Sequence, residues 1–181
     1  NTSFSVSFLV PYQKSNDYLR ETVSKIDALL EGNHELLLLP DEISDESSLI
    51  SDSLRGRTKI IPTGRVSPAL KRDVGAENTG ADLLAFIDDD AYPAYDWLIK
   101  AVPYFEDPEV CAVGGPQITP PHDSFWQKVS GAMFLSLLNG GAACRYIPCM
   151  KKKGVEIDDW PTVNLIVRRK DFKAVGGFDN A

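Results

Sequence analysis

Three consecutive carboxylates, Asp88, Asp89 and Asp90, close an apolar run that begins at Leu83, and Pro93 follows soon after. A run of that purity predicts a strand buried on both faces, with the acidic triplet at its C-terminal tip. Adjacent carboxylates repel one another unless a cation or a set of strong donors sits among them. One hard cation held by one or two carboxylates and completed by a ligand's phosphates is a common use of Mg²⁺. In open α/β sheets, ligands bind at that end of the strands. The competing reading is a solvated acidic turn, because Asp is a common turn residue.

Other residues could serve the same chemistry. Lys71 and Arg72 fall on a predicted helix just before the acidic strand. Arg offers a planar fork and Lys a point charge, and both suit a diphosphate; a solvated helix face is the alternative, more readily for Lys71. Asp41 follows a strand with nothing nearby in sequence to neutralise it. It suits hydrogen bonds from a nucleobase edge or a ribose, or else a simple Asx turn. Gly114-Gly115-Pro116 either lets backbone approach a ligand closely or makes a plain tight turn. Asn164 is expected inside an apolar strand, where a polar side chain needs partners. Asp158-Asp159-Trp160-Pro161 offers carboxylates and an aromatic face, as sugar sites often do, or a loop anchored by its Trp.

The elements that must position these groups follow from hydrophobic periodicity. Strands are predicted over residues 4–10, 35–39, 58–61, 82–87, 110–113 and 162–167, and helices over 17–31, 67–78 and 95–105. A short helix is expected around 47–54, and an amphipathic one over 124–138 carrying Phe125, Val129, Met133 and Leu137. Ser67-Pro68 reads as an N-cap followed by proline at N1. Gly32 and Gly80 suit helix ends, and Pro103 should bend the last turn of its helix. Strands alternating with helices imply crossovers and a mostly parallel sheet. Pro11-Tyr12, Asp41, Thr63-Gly64 and the acidic triplet then gather on one rim.

Composition narrows the function classes. At 181 residues the chain suits one domain with a real core. A net charge of -7 argues against nucleic acid as a partner, since no broad basic surface can neutralise phosphates. Phosphate chemistry must be local. Cys111, Cys144 and Cys149 show no CxxC spacing, and two His do not complete a zinc site. Cys111, in an apolar run, is expected to be a buried thiol. The chain starts without Met or a signal-peptide pattern, and its longest weakly polar run, 131–143, is too short for a membrane span. It reads as soluble and as a piece of something longer. Lys151-Lys152-Lys153 beside an apolar helix suggests peripheral membrane contact, at most about 3 kcal/mol on an anionic surface, against a simpler solvated loop.

Taken in order, residues 6–12 (VSFLVPY), Glu35 to Asp41, PALKRDVG from Pro68, the block FIDDDAYP, NLIVRR and VGGFD resemble the family 2 glycosyltransferases of the GT-A fold. The match runs over nearly the whole chain. The resemblance implies an α/β, Rossmann-like, mostly parallel sheet flanked by helices and lacking its C-terminal part. It implies inverting transfer of a sugar from a nucleotide-diphosphate donor, a UDP- or GDP-sugar, to a hydroxyl of a glycan or lipid-linked acceptor. Mg²⁺ or Mn²⁺ would assist, at the cytoplasmic face of a membrane. By position, Pro11, Tyr12 and Asp41 would hold the nucleoside, and Arg72 with Lys71 would approach the diphosphate. Asp88 to Asp90 would form the DXD-type motif, Asp89 near the ribose and Asp90 the leading metal ligand with Asp88 beside it. Gly115 would lie by the donor sugar. Residues 1–116 would be the nucleotide-binding half and 117–181 the start of an acceptor-side half.

Two departures from the family pattern stand out. Its acidic pair after the second strand is Pro40-Asp41 here, and its Glu-Asp general base lies downstream of GGFD. Asp179 belongs to the GGFD turn, and Asp158 and Asp159 precede the expected place, so no catalytic base is assigned. Two alternatives remain: a nucleotide-binding module without turnover, or a sugar-1-phosphate nucleotidyltransferase. The latter would carry a Gly-rich, Arg-containing loop where Pro11-Tyr12-Gln13-Lys14 stands.

Overall fold

The computed structural model describes residues 4–43, 46, 48–135, 145–147, 155–157 and 159–180. The chain begins with strand β1 (Val6–Pro11) and helix α1 (Asp17–Asp27), whose first turn is capped by Asn16 Oδ1 accepting from Leu19 N–H at 2.9 Å. Strands β2 (Glu35–Leu39) and β3 (Thr58–Ile60) come next, then helix α2 (Pro68–Glu77) and strand β4 (Leu83–Phe86). Helix α3 (Trp97–Ala101) tightens into a 3-10 turn, Val102–Glu106, where Pro103 has no N–H to continue the α-helical ladder. Strand β5 (Ala112–Gly114), helix α4 (Phe125–Phe134), a 3-10 turn (Thr162–Asn164), strand β6 (Leu165–Arg168) and helix α5 (Arg169–Ala174) complete it.

The sheet runs β3-β2-β1-β4-β6-β5. Strands β1 to β4 are parallel, and β6 lies antiparallel between β4 and β5. The expectation of a mostly parallel sheet is met. The C-terminal ends of β1 to β5 and the N-terminal end of β6 therefore share one rim. Alternating side chains feed two apolar layers: Phe8, Val10, Leu36 and Leu38 join α1 and α3 on one face. On the other, Leu9, Leu37, Leu39 and Phe86 meet Phe172 and Phe178. Gly75 lets α2 lie close on that second face, since a Cβ there would fall 2.6 Å from Leu9 Cδ2. Close seating of α2 carries its first turns to the rim.

Several expectations need correction. Residues 48–49 and 52–57 form turns rather than a short helix, with the Ser51 and Ser53 hydroxyls tied to the Asp27 carboxylate of α1. The first helix stops at Asp27, and α2 is closed by Asn78 rather than Gly80. Cys111 is exposed, not buried, because β5 is an edge strand. Asn164 stands in the 3-10 turn before β6, not within a strand. Helix α4 forms, but Phe125 and Met133 are 70% and 69% exposed, so its apolar stripe faces out of the domain. Ser47, Leu137, Cys144, Cys149, Lys151 to Lys153 and Asp158 lie outside the described residues. Among the described residues, no helix is long and apolar enough to cross a membrane.

Candidate functional site

Helix α2 starts as its sequence dictates. Ser67 Oγ accepts from Leu70 N–H at 3.2 Å and Pro68 opens the first turn. One turn further in, Lys71 and Arg72 are buried, with 2% and 5% of their surface exposed. Long cations are rarely buried unless paired, and both are paired. Lys71 Nζ donates to the Tyr12 carbonyl and to Asp41 Oδ1, each at 2.5 Å, and to the Leu39 carbonyl at 3.3 Å. It stitches the ends of β1 and β2 together. Asp41, for which no neutralising neighbour was expected, is thus neutralised by a residue 30 positions away.

Arg72 forms an ion pair with Asp88 at the tip of β4, and its Nε is buried with no hydrogen-bond partner. Burial pulls the Arg72 pKa below its ordinary value, while Asp88 opposes that shift. Burial likewise pushes Asp88 up; Arg72 counters and the negative Asp90 adds to the rise. Asp89 is pushed up by burial and then by Asp90 and Asp88. Repulsion among the three adjacent carboxylates contributes to both rises, and at Asp88 the Arg72 guanidinium outweighs the Asp90 charge but not the effect of burial. A turn also forms, with Ala91 N–H donating to the Asp88 carbonyl at 3.2 Å. Asp90 itself is exposed.

A cleft of roughly 400 Å³ opens beside this rim, lined among others by Pro11, Tyr12, Ser15, Asn16, Lys71 and Asp89. The Tyr12 ring is turned into the core and its hydroxyl donates to Glu46 Oε1 at 3.2 Å, so its backbone is what the rim uses. Burial, with Glu46 beside it, raises the Tyr12 pKa. Glu46, itself 3% exposed, was not singled out in the sequence; nothing marks it there except a position five residues past Asp41. Gly115 lies farther along the same rim, where its carbonyl accepts from Trp160 Nε1 at 3.1 Å.

Among the described residues, no three His, Cys, Asp or Glu side chains converge as a ready metal cage. The acidic tip supplies oxygen donors only, two of them with raised pKa. That set fits a hard divalent cation shared with phosphates better than one enclosed by protein.

The sequence model of Glycosyl transferase family 2 matches residues 7–176. The chain belongs to that family. No curated protein sequence matches this family 2 chain. Among solved structures, a mannosyltransferase from Pyrobaculum calidifontis, PcManGT, in complex with GDP-Man and Mn²⁺ is similar with a TM-score of 0.63 at 16% identity. That likeness covers 97% of this chain and 47% of the other. S. aureus TarS 1-349 follows with a TM-score of 0.60 at 16% identity, over 94% of this chain and 49% of its own. The same TarS fragment in complex with UDP-GlcNAc gives 0.53 at 16%, over 66% and 36%. The family 2 chain thus spans about half the length of the first two. These likenesses show the fold: a GT-A-type α/β sheet flanked by helices.

Proposed function

We propose that this chain is the donor-binding part of an inverting glycosyltransferase. It moves a sugar from a UDP- or GDP-sugar to a hydroxyl of a glycan or lipid-linked acceptor, with Mg²⁺ or Mn²⁺. The observation that carries this is the buried pair of cations on one helix. Lys71 holds Asp41, and Arg72 holds Asp88, both at the sheet rim beside the cleft.

Each residue has a task that follows from its placement. Asp41, oriented by Lys71, accepts hydrogen bonds from the base, while the Pro11-Tyr12 backbone shapes the nucleoside end of the cleft. Asp89, which lines the cleft, would lie near the ribose. Arg72 keeps an uncommitted Nε–H for a diphosphate oxygen. Gly115 would lie by the donor sugar. Asp88 and Asp90 would hold the metal, which when bound supplies positive charge to the departing diphosphate as a Lewis acid. Attack by the acceptor hydroxyl needs a carboxylate base, and none of the described residues is assigned that role. The exposed Phe125, Trp126 and Met133 of α4 support peripheral membrane contact near a lipid-linked acceptor.

Calorimetric titration with UDP and GDP, with and without Mn²⁺, tests this reading. Mn²⁺-dependent binding that disappears in Asp90→Ala supports it. Binding that ignores Mn²⁺, or no binding at all, contradicts it.

A further inference from the structure

Asn164 carries a polar atom that the fold leaves unused, inside a frame that holds it rigidly. Its backbone carbonyl accepts from Gly115 N–H at 3.1 Å, and its Nδ2 donates to the Pro116 carbonyl at 2.9 Å. A carbonyl can only accept, so this bond decides which way the amide faces. A Cβ on Gly115 would come within 2.7 Å of Asn164 Nδ2 and 2.8 Å of Oδ1, so glycine there makes room for the amide. With Nδ2 committed, Oδ1 is shielded from solvent and has no hydrogen-bond partner. Gln117, next to Pro116, is in the complementary state: its Nε2 is a shielded donor without an acceptor. Leaving a buried polar atom unsatisfied is costly, and here the cost falls on one acceptor and one donor in neighbouring segments.

Strand register says where they stand. Phe86 pairs with Leu165 across β4 and β6, so Asn164 is level with Ile87, one residue short of Asp88. On its other side, Gly114 of β5 pairs with the same Leu165. Asn164 therefore sits on the C-terminal rim between the acidic tip and the Gly114-Gly115-Pro116 segment that ends β5. The tip attracts charged groups. The amide pair is neutral and matches a group that donates and accepts at once, as sugar hydroxyls and acetamido groups do.

We propose that Asn164 Oδ1 and Gln117 Nε2 form a neutral polar subsite that reads the hydroxyl or acetamido groups of the donor sugar. This rests on the donor-binding reading above, because the diphosphate is what delivers the sugar to that stretch of rim. Both atoms are shielded, so the sugar reaches them by displacing neighbouring chain. A site built to hydrogen-bond a substrate group discriminates strongly, because its polar atoms stay unpaired with the wrong ligand.

The test compares each nucleotide diphosphate with its sugar: UDP against UDP-GlcNAc and GDP against GDP-Man, titrated with Mn²⁺ into the full chain. Asn164→Ala is expected to weaken the preferred nucleotide sugar about 5- to 20-fold and to leave the matching diphosphate within about twofold. Gln117→Ala is expected to show the same selective loss at about 3- to 5-fold, and it serves alone if Asn164→Ala fails to fold. Equal losses for diphosphate and sugar, or no loss for either, overturn the subsite while leaving donor binding intact. A wild-type chain that binds neither diphosphate overturns the donor-binding reading, and the subsite with it.

Discussion

Asp82 and Asp88 flank the same short strand, β4, yet the fold treats their charges in opposite ways. At the N-terminal rim, Asp82 accepts from the Ser5 backbone N–H at 2.9 Å and from the Ser5 hydroxyl at 2.7 Å. Those bonds hold its pKa below the ordinary carboxylate value. Glu35, on the same rim, would be pushed up by burial, but hydrogen bonds from Thr79 and Ser7, with Lys59 at 2.9 Å, bring it down. At the C-terminal rim, burial and mutual repulsion push Asp88 and Asp89 up; Arg72 answers in part for Asp88, and hydrogen bonds from its own backbone and from Asn16 answer in part for Asp89. Carboxylates satisfied from within belong to the fold's own stability. Carboxylates left raised and crowded beside a cleft, despite their internal partners, gain further from a cation that arrives.

The largest effect should come from removing the ion pair at Asp88. Arg72→Ala leaves Asp88 without a partner and should cost about 2 kcal/mol by urea denaturation. That is less than the ~3–5 kcal/mol of a fully buried pair, because the Asp88 side chain keeps 39% exposure. Nucleotide binding should be lost with it. Stability equal to wild type would mean that Asp88 is already well solvated, and the contrast between the rims would fail.

Next in size is the opposite rim. Asp82→Ala removes two hydrogen bonds and should cost about 1–2 kcal/mol, with UDP and GDP affinity unchanged. A change in nucleotide affinity would show that the two rims are not separable.

The smallest effect sharpens the comparison through pH. Asp89 has a folded pKa above 3.8, so between those values the native state holds more protons than the unfolded one, and stability falls as pH rises. Asp89→Asn removes that cost. Its thermal midpoint should lie slightly above wild type at pH 7 and match it near pH 3, where both forms are neutral. Asp82, with a lowered pKa, runs the other way: its contribution is present above 3.8 and is lost as pH falls through its folded value. An Asp89→Asn midpoint below wild type at pH 7 would show that its charge is already compensated.

Much of this was legible in the sequence because it is local. The purity of residues 83–87 gave away a buried strand, and Ser67-Pro68 an N-cap that forms as expected. The Lys71–Asp41 pair was not legible, since it depends on β1 and β2 being neighbours with α2 folded back over them. Nor was the placing of β6 between β4 and β5, which brings Asn164 beside the acidic strand. Cys111 misled for the same reason: an apolar run reads as interior, and only strand order reveals an edge.

The most direct test is anomalous scattering from a crystal of this chain grown with Mn²⁺ and UDP or GDP. The account predicts a manganese peak touching Asp88 or Asp90 oxygens and a diphosphate oxygen, with Arg72 still beside Asp88. Manganese bound elsewhere, or a diphosphate seated without any metal at that tip, would contradict it.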